Sequence, residues 1–82
     1  MQTGLMWFDN DPRTALAVKI EKASDYYKRK FGRLPDLCLV NPSMLGDSPV
    51  EMIEQRGVRI TIRPYRPVLP GHLWIGVEDE KA

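Results

Sequence analysis

Thiol and imidazole chemistry is almost missing from this sequence, which holds one cysteine, Cys38, and one histidine, His72. A single cysteine excludes an intramolecular disulfide and any zinc cluster made of cysteines alone. There is no pair of histidines for a metal, no glycine-rich phosphate loop and no nucleophile elbow. No stretch approaches the ~20 apolar residues of a membrane span, and the segment after Met1 lacks the basic start and apolar core of a signal peptide. A cytoplasmic protein with no membrane partner is expected. Internal repeats and low-complexity segments are also missing. The chain has 82 residues, which suits one domain over 1–82, with 78–82 as a frayed tail. At this size about two-thirds of the unfolded surface can be buried.

What is present is ordinary in amount and uneven in placement. Hydrophobic residues make up 43% of the chain and charged ones 28%, for a net charge of +1. Residues 13–33 carry seven basic and two acidic side chains, and residues 56–66 carry four arginines and no acid. The acidic balance lies in 1–12, 34–55 and 67–82. Segregation of this kind can make a basic face on a nearly neutral protein, provided the two basic segments fold to the same side.

The chain is organised around Leu37-Cys38-Leu39-Val40. Apolar at every position and bounded by Pro35-Asp36 and Asn41-Pro42, it reads as a strand buried on both faces. Upstream, Leu5 to Phe8 forms a first strand. Asp11 as cap and Pro12 at the first helical position then start a helix. Its apolar stripe is Leu16, Ile20, Ala23, Tyr27 and Phe31, and Lys28, Arg29, Lys30, Gly32 and Pro35 mark its end. A strand–helix–strand unit of this length makes the two strands parallel. Downstream, Ser48, Pro49 and Glu51 carry the signature of a short second helix over 49–55, closed by Gly57. Val58, Ile60 and Ile62 alternate with Arg59, Thr61 and Arg63, and Leu73, Ile75 and Val77 alternate with His72, Trp74 and Gly76. Both stretches read as half-exposed strands. Between them the prolines at 64, 67 and 70 favour polyproline II in a stiff connector. The expected fold is a small mixed α/β (α+β) domain. It has a four-strand sheet, order β-α-β-(α)-β-β, with one long amphipathic helix across it and the last two strands as antiparallel neighbours.

Few residues carry chemistry. Ligands of open α/β sheets collect beyond the carboxyl ends of parallel strands, which here hold Asp9, Asp11, Asn41 and Ser43. Those oxygens could hold a hydrated Mg²⁺. Helix capping and turns select the same residue types, so the structural role is preferred. Cys38 lies within an apolar run, where a thiol acts as a small hydrophobe and not as a nucleophile paired with His72. Pro35-Asp36 invites comparison with metal-dependent nucleases, but the acid and lysine on an adjacent strand are lacking. Arg63-Pro64-x-x-Pro67-x-x-Pro70 has the form of a proline-rich ligand, although a connector inside a domain explains it as well. The outward side of the last two strands carries Arg59, Arg63, His72 and Trp74. Arginines beside an exposed tryptophan suit a protein interface or a phosphate-and-base surface.

Several motifs set in order carry a resemblance. They are Trp-Phe-Asp-Asn-Asp-Pro (Trp7 to Pro12), Tyr26-Tyr27 with Phe31-Gly32-Arg33, Cys38-Leu39-Val40-Asn41-Pro42-Ser43, and Leu69-Pro70-Gly71-His72. The chain resembles a group of short, uncharacterised bacterial α/β proteins over nearly its full length. The resemblance implies a stand-alone small protein and brings no activity or catalytic residue. A fainter likeness links the Asn-Pro turn and the Leu-Pro-Gly loop to part of tailed-phage capsid proteins, and nothing is carried over from it.

The sequence thus points to a non-catalytic binding or assembly protein without a cofactor, working through a sheet edge and the Arg/Trp surface. Weak, non-specific nucleic-acid binding is the alternative. A small metal-dependent enzyme using Asp9 and Asp11 comes third. Because 58–62 and 72–77 lack protective lysines, edge pairing into a homodimer or higher oligomer is expected.

Overall fold

The computed structural model describes residues 3–46 and 51–78. In chain order these form β1 (Thr3–Phe8), α1 (Leu16–Phe31), β2 (Leu37–Val40), β3 (Met52–Gln55), β4 (Val58–Pro64) and β5 (His72–Val77), with a 3₁₀ turn at Pro42–Met44. The strands build one mixed sheet in the order β1-β5-β2-β4-β3. β5 runs antiparallel to both β1 and β2, β4 runs parallel to β2, and β3 returns antiparallel to β4.

α1 packs on one face of this sheet. Its Ile20, Ala23 and Tyr27 join Cys38 and Val40 of β2, Ile60 and Ile62 of β4, and Leu73 and Ile75 of β5 in a single core. Leu5 and Trp7 from β1 and Ile53 from β3 pack around it. Ser24 is buried among them because its hydroxyl donates to the Ile20 carbonyl at 2.7 Å, one turn back. The helix ends at Gly32, whose φ of 84° is the left-handed conformation that glycine adopts freely, and whose N–H caps the Lys28 carbonyl at 2.8 Å.

The helix starts later than Asp11-Pro12 suggests. Thr14 N–H bonds back to the Asp11 carbonyl, and the Asp11 carboxylate accepts from Arg13 N–H at 2.9 Å and from the Thr14 hydroxyl at 3.0 Å. Aspartate first and proline second is also the preferred start of a β-turn. Here that turn forms as a unit of its own, and α1 begins at Leu16 with no side-chain cap.

The sheet has five strands and not four. Residues 47–50, which hold the expected cap Ser48 and the expected first helical residue Pro49, lie outside the described residues. Met52–Gln55, its expected remainder, is strand. So short a segment gains little as a helix. As a strand it turns Ile53 toward the core and bonds to β4 through a two-residue hairpin at Arg56-Gly57, with φ of 53° and 81°. Positive φ at both central positions matches the right-handed twist of paired strands.

β4 and β5 are not neighbours, because β2 lies between them. The connector crosses the carboxyl end of β2: Tyr65 N–H bonds to the Val40 carbonyl at 2.7 Å, and Asn41 Nδ2 donates to Val68 O at 3.0 Å. Nor does it stay extended as polyproline II. Val68 N–H bonds to Tyr65 O and His72 N–H to Leu69 O, giving two successive turns, the second with proline and then Gly71 at φ 86°. Residues 58–62 and 72–77, the expected free edges, are interior, and the edges are β1 and β3.

Candidate interaction surface

Alternation along each strand fixes what the other side of the sheet displays. One row across the strands is Met6, Trp74, Leu39 and Arg63. Beside it run Gly4, Gly76, Leu37, Thr61 and Met52, of which Leu37, at 2% exposure, and Gly76 are buried within the face itself. Phe8 sits next to His72 at the carboxyl end of β1, with ring centroids 4.7 Å apart. Arg59 sits across from Glu54 at the far corner. Among the described residues α1 is the one α-helix, and it lies on the opposite face. Met6 is accordingly 53% exposed and Phe8 59%.

Trp74 is held flat on this surface by what Gly4 lacks. A Cβ at Gly4 would run into ring carbons Cζ2 and Cε2 of the indole and lie 2.8 Å from the Ile75 carbonyl oxygen. The glycine therefore provides a seat, and the indole fills it. Arg63 is fixed at the other end of the row by a 3.4 Å ion pair with Glu78.

Arg59, Arg63, His72 and Trp74 therefore share one face, though β2 separates the arginines from the aromatic pair. At about 4.8 Å per strand, Arg63 and Trp74 stand roughly 10 Å apart with Leu39 between them. Met6, Phe8 and Leu39 complete the surface. Sequence reasoning missed them because β1 and β2 are apolar at nearly every position, so alternation does not tell inward from outward. The signal within reach was Gly4, two residues from Met6 and four from Phe8.

The two basic segments merge only in part. Arg59 and Arg63 are on the uncovered face, whereas Arg56 meets α1 on the other. There Asp25, Lys28, Arg29 and Arg56 line an open depression of about 310 Å³, with Arg56 3.3 Å from Asp25.

The oxygen donors at the carboxyl edge serve the chain itself. Asp9 Oδ1 accepts from Asp11 N–H at 3.1 Å, and Asn41 Oδ1 accepts from Ser43 N–H at 2.9 Å. The Arg13 amide, followed by the Thr14 hydroxyl, holds the Asp11 carboxyl below its usual range. Because β5 separates β1 from β2, Asp9 and Asp11 are not brought onto Asn41 and Ser43. Among the described residues no group of three or more His, Cys, Asp or Glu side chains is placed to hold a metal ion.

Cys38 faces the helix and His72 the opposite side, so the sheet stands between thiol and imidazole. Burial pushes the Cys38 thiol up to about 12 from 9.0. The folded state holds this proton more tightly than the unfolded state, so the thiol's contribution to stability is constant below about pH 9 and falls as pH rises toward 12. The Tyr27 phenol, raised chiefly by burial, acts in the same direction. Iodoacetamide at neutral pH is expected to leave native Cys38 intact and to alkylate it in urea. Denaturation midpoints should decline above pH 9, with a shallower slope in Cys38→Ala. Rapid alkylation of the native chain would contradict this burial.

Comparison with models of known protein families, with curated proteins and with solved structures finds no match for the chain.

Proposed function

We propose that the chain is a non-catalytic binding or assembly protein whose working surface is the uncovered face of the sheet. One observation carries the reading: Met6, Phe8, Leu39 and Trp74 form a contiguous apolar surface with Arg63 at its end, and no described element covers it. Contiguous apolar surface is unfavourable in water and marks sites of association. An aromatic anchor with a flanking arginine is the composition of energetic centres in protein interfaces. The groups that could do chemistry support a non-catalytic role, since the Asp9 and Asp11 oxygens close local turns and Cys38 is buried. Nucleic-acid binding gains from Trp74 and the two arginines, but Glu78 pairs with Arg63 and Glu54 faces Arg59, so little net positive charge is left for phosphates.

A photo-activatable residue at position 39, compared with one at Lys22 on the exposed side of α1, tests this in cells. The expected adducts are protein and form at position 39 only. Equal yields at the two positions, or adducts dominated by nucleic acid, would overturn the proposal.

A further inference from the structure

Among the described residues the sheet has two unpaired edges, β1 and β3, and they differ in chemistry. β3 is four residues long and carries Glu54, with Glu51 before it and Arg56 after it. β1 reads Thr-Gly-Leu-Met-Trp-Phe, without a charge or a proline. It pairs with β5 without a bulge, from Thr3 opposite Val77 to Phe8 opposite His72. Charges, prolines and bulges are the usual means of blocking an edge, and β1 has none of them. The Asp9 N–H bonds to Gly71 O. Antiparallel ladders alternate, so Leu5 and Trp7 turn their backbone groups to β5, and Gly4, Met6 and Phe8 turn theirs to the free edge.

We propose that β1 pairs antiparallel with β1 of a second copy about a two-fold axis at Met6, making one continuous sheet from two chains. This rests on the reading of the uncovered face as a binding surface, which the pairing extends across two copies. Charge selects a second copy as the occupant. A strand set against its own copy brings like side chains together, which an uncharged edge tolerates and a Glu/Arg edge such as β3 does not. With Met6 on the axis, Gly4 lies opposite Phe8 of the second copy, and Leu5 opposite its Trp7. Gly4 has no side chain and Trp74 lies over it, so the incoming Phe8 ring meets an aromatic surface. The axis stands perpendicular to the sheet. Both helices then lie on one side, and the two uncovered faces join on the other.

Sedimentation velocity over a concentration series tests the proposal on the full chain. The wild type is expected to be a dimer at micromolar concentration. Met6→Lys sets two ammonium groups together at the axis and should shift the dissociation midpoint at least tenfold, whereas Met52→Lys, on the same face but at the other edge, should not. Met6→Pro removes an amide that points away from β5 and should also give a monomer, with an unchanged far-UV spectrum. A wild-type monomer at 100-fold higher concentration, or a dimer that survives both Met6 variants, would overturn the pairing. Protein adducts at position 39 in a chain that stays monomeric would remove the pairing and leave the face reading intact. A Met6-dependent dimer with no preference for position 39 would do the reverse.

Discussion

Gly4→Ala is expected to destabilise the chain by about 1–3 kcal/mol, the usual cost of forcing atoms into a filled space. The substitution changes one methyl group on an edge strand, where most changes are small. Here the methyl has nowhere to go. The Trp74 ring lies on the glycine and the Ile75 carbonyl oxygen is 2.8 Å from the new atom. Either the indole swings into solvent or β1 draws away from β5. Both reduce apolar burial, and the first shifts tryptophan emission to the red. For a domain of 60–100 residues each kcal/mol corresponds to roughly 4–8 °C in melting temperature. Trp74→Ala empties the seat, so Gly4→Ala made in that background should cost much less, and a double-mutant cycle measures the coupling. Equal effects in the two backgrounds would show that the seat is not what the glycine provides.

A larger loss is expected from Ile75→Ala, about 2–5 kcal/mol from lost transfer energy and residual cavity. Ile75 is fully buried at the centre of β5, between β1 and β2 and beneath α1. Its neighbours are held by both sheet and helix, which leaves little freedom to close the gap. Marginal stability at about 0.05–0.15 kcal/mol per residue means that this one truncation removes much of the total. Leu69→Ala provides the contrast, since Leu69 is 63% exposed in the connector and its truncation should stay within about 0.5 kcal/mol. Urea midpoints should separate the two variants with little change in slope. A small effect at Ile75 would mean that α1 does not close the core there.

Much of the fold was legible wherever one signal had one meaning. Gly32 and the basic last turn ended α1 where the structure ends it, and the apolar run at Leu37–Val40 is β2 over the same four residues. Ambiguity entered where a signal serves two structures. Asp-Pro can open a helix or a β-turn, and Ser-Pro-x-Glu before a short apolar segment can cap a helix that tertiary pairing then replaces with β3. Strand order was harder still. Alternation assigns each residue of β4 and β5 to a face, but it carries no information about which strand lies alongside. The insertion of β2 between them is written in non-local contacts, through Val40, Asn41 and the connector. The same logic divides the surface. Arg59, Arg63, His72 and Trp74 stood out against alternating apolar partners, while Met6, Phe8 and Leu39 were hidden in runs apolar on both sides.

Association through the sheet face opposite α1 requires that this face be bare in the monomer. Methyl relaxation by a soluble gadolinium chelate, in protein dilute enough to be monomeric, tests that bareness directly. The Met6 and Met52 methyls should relax as fast as those of Val18 on the exposed side of α1, while those of Ile20 and Ile75 should hardly respond. Met6 and Met52 shielded to the level of Ile75 would contradict it, for the face would then be covered by the chain itself.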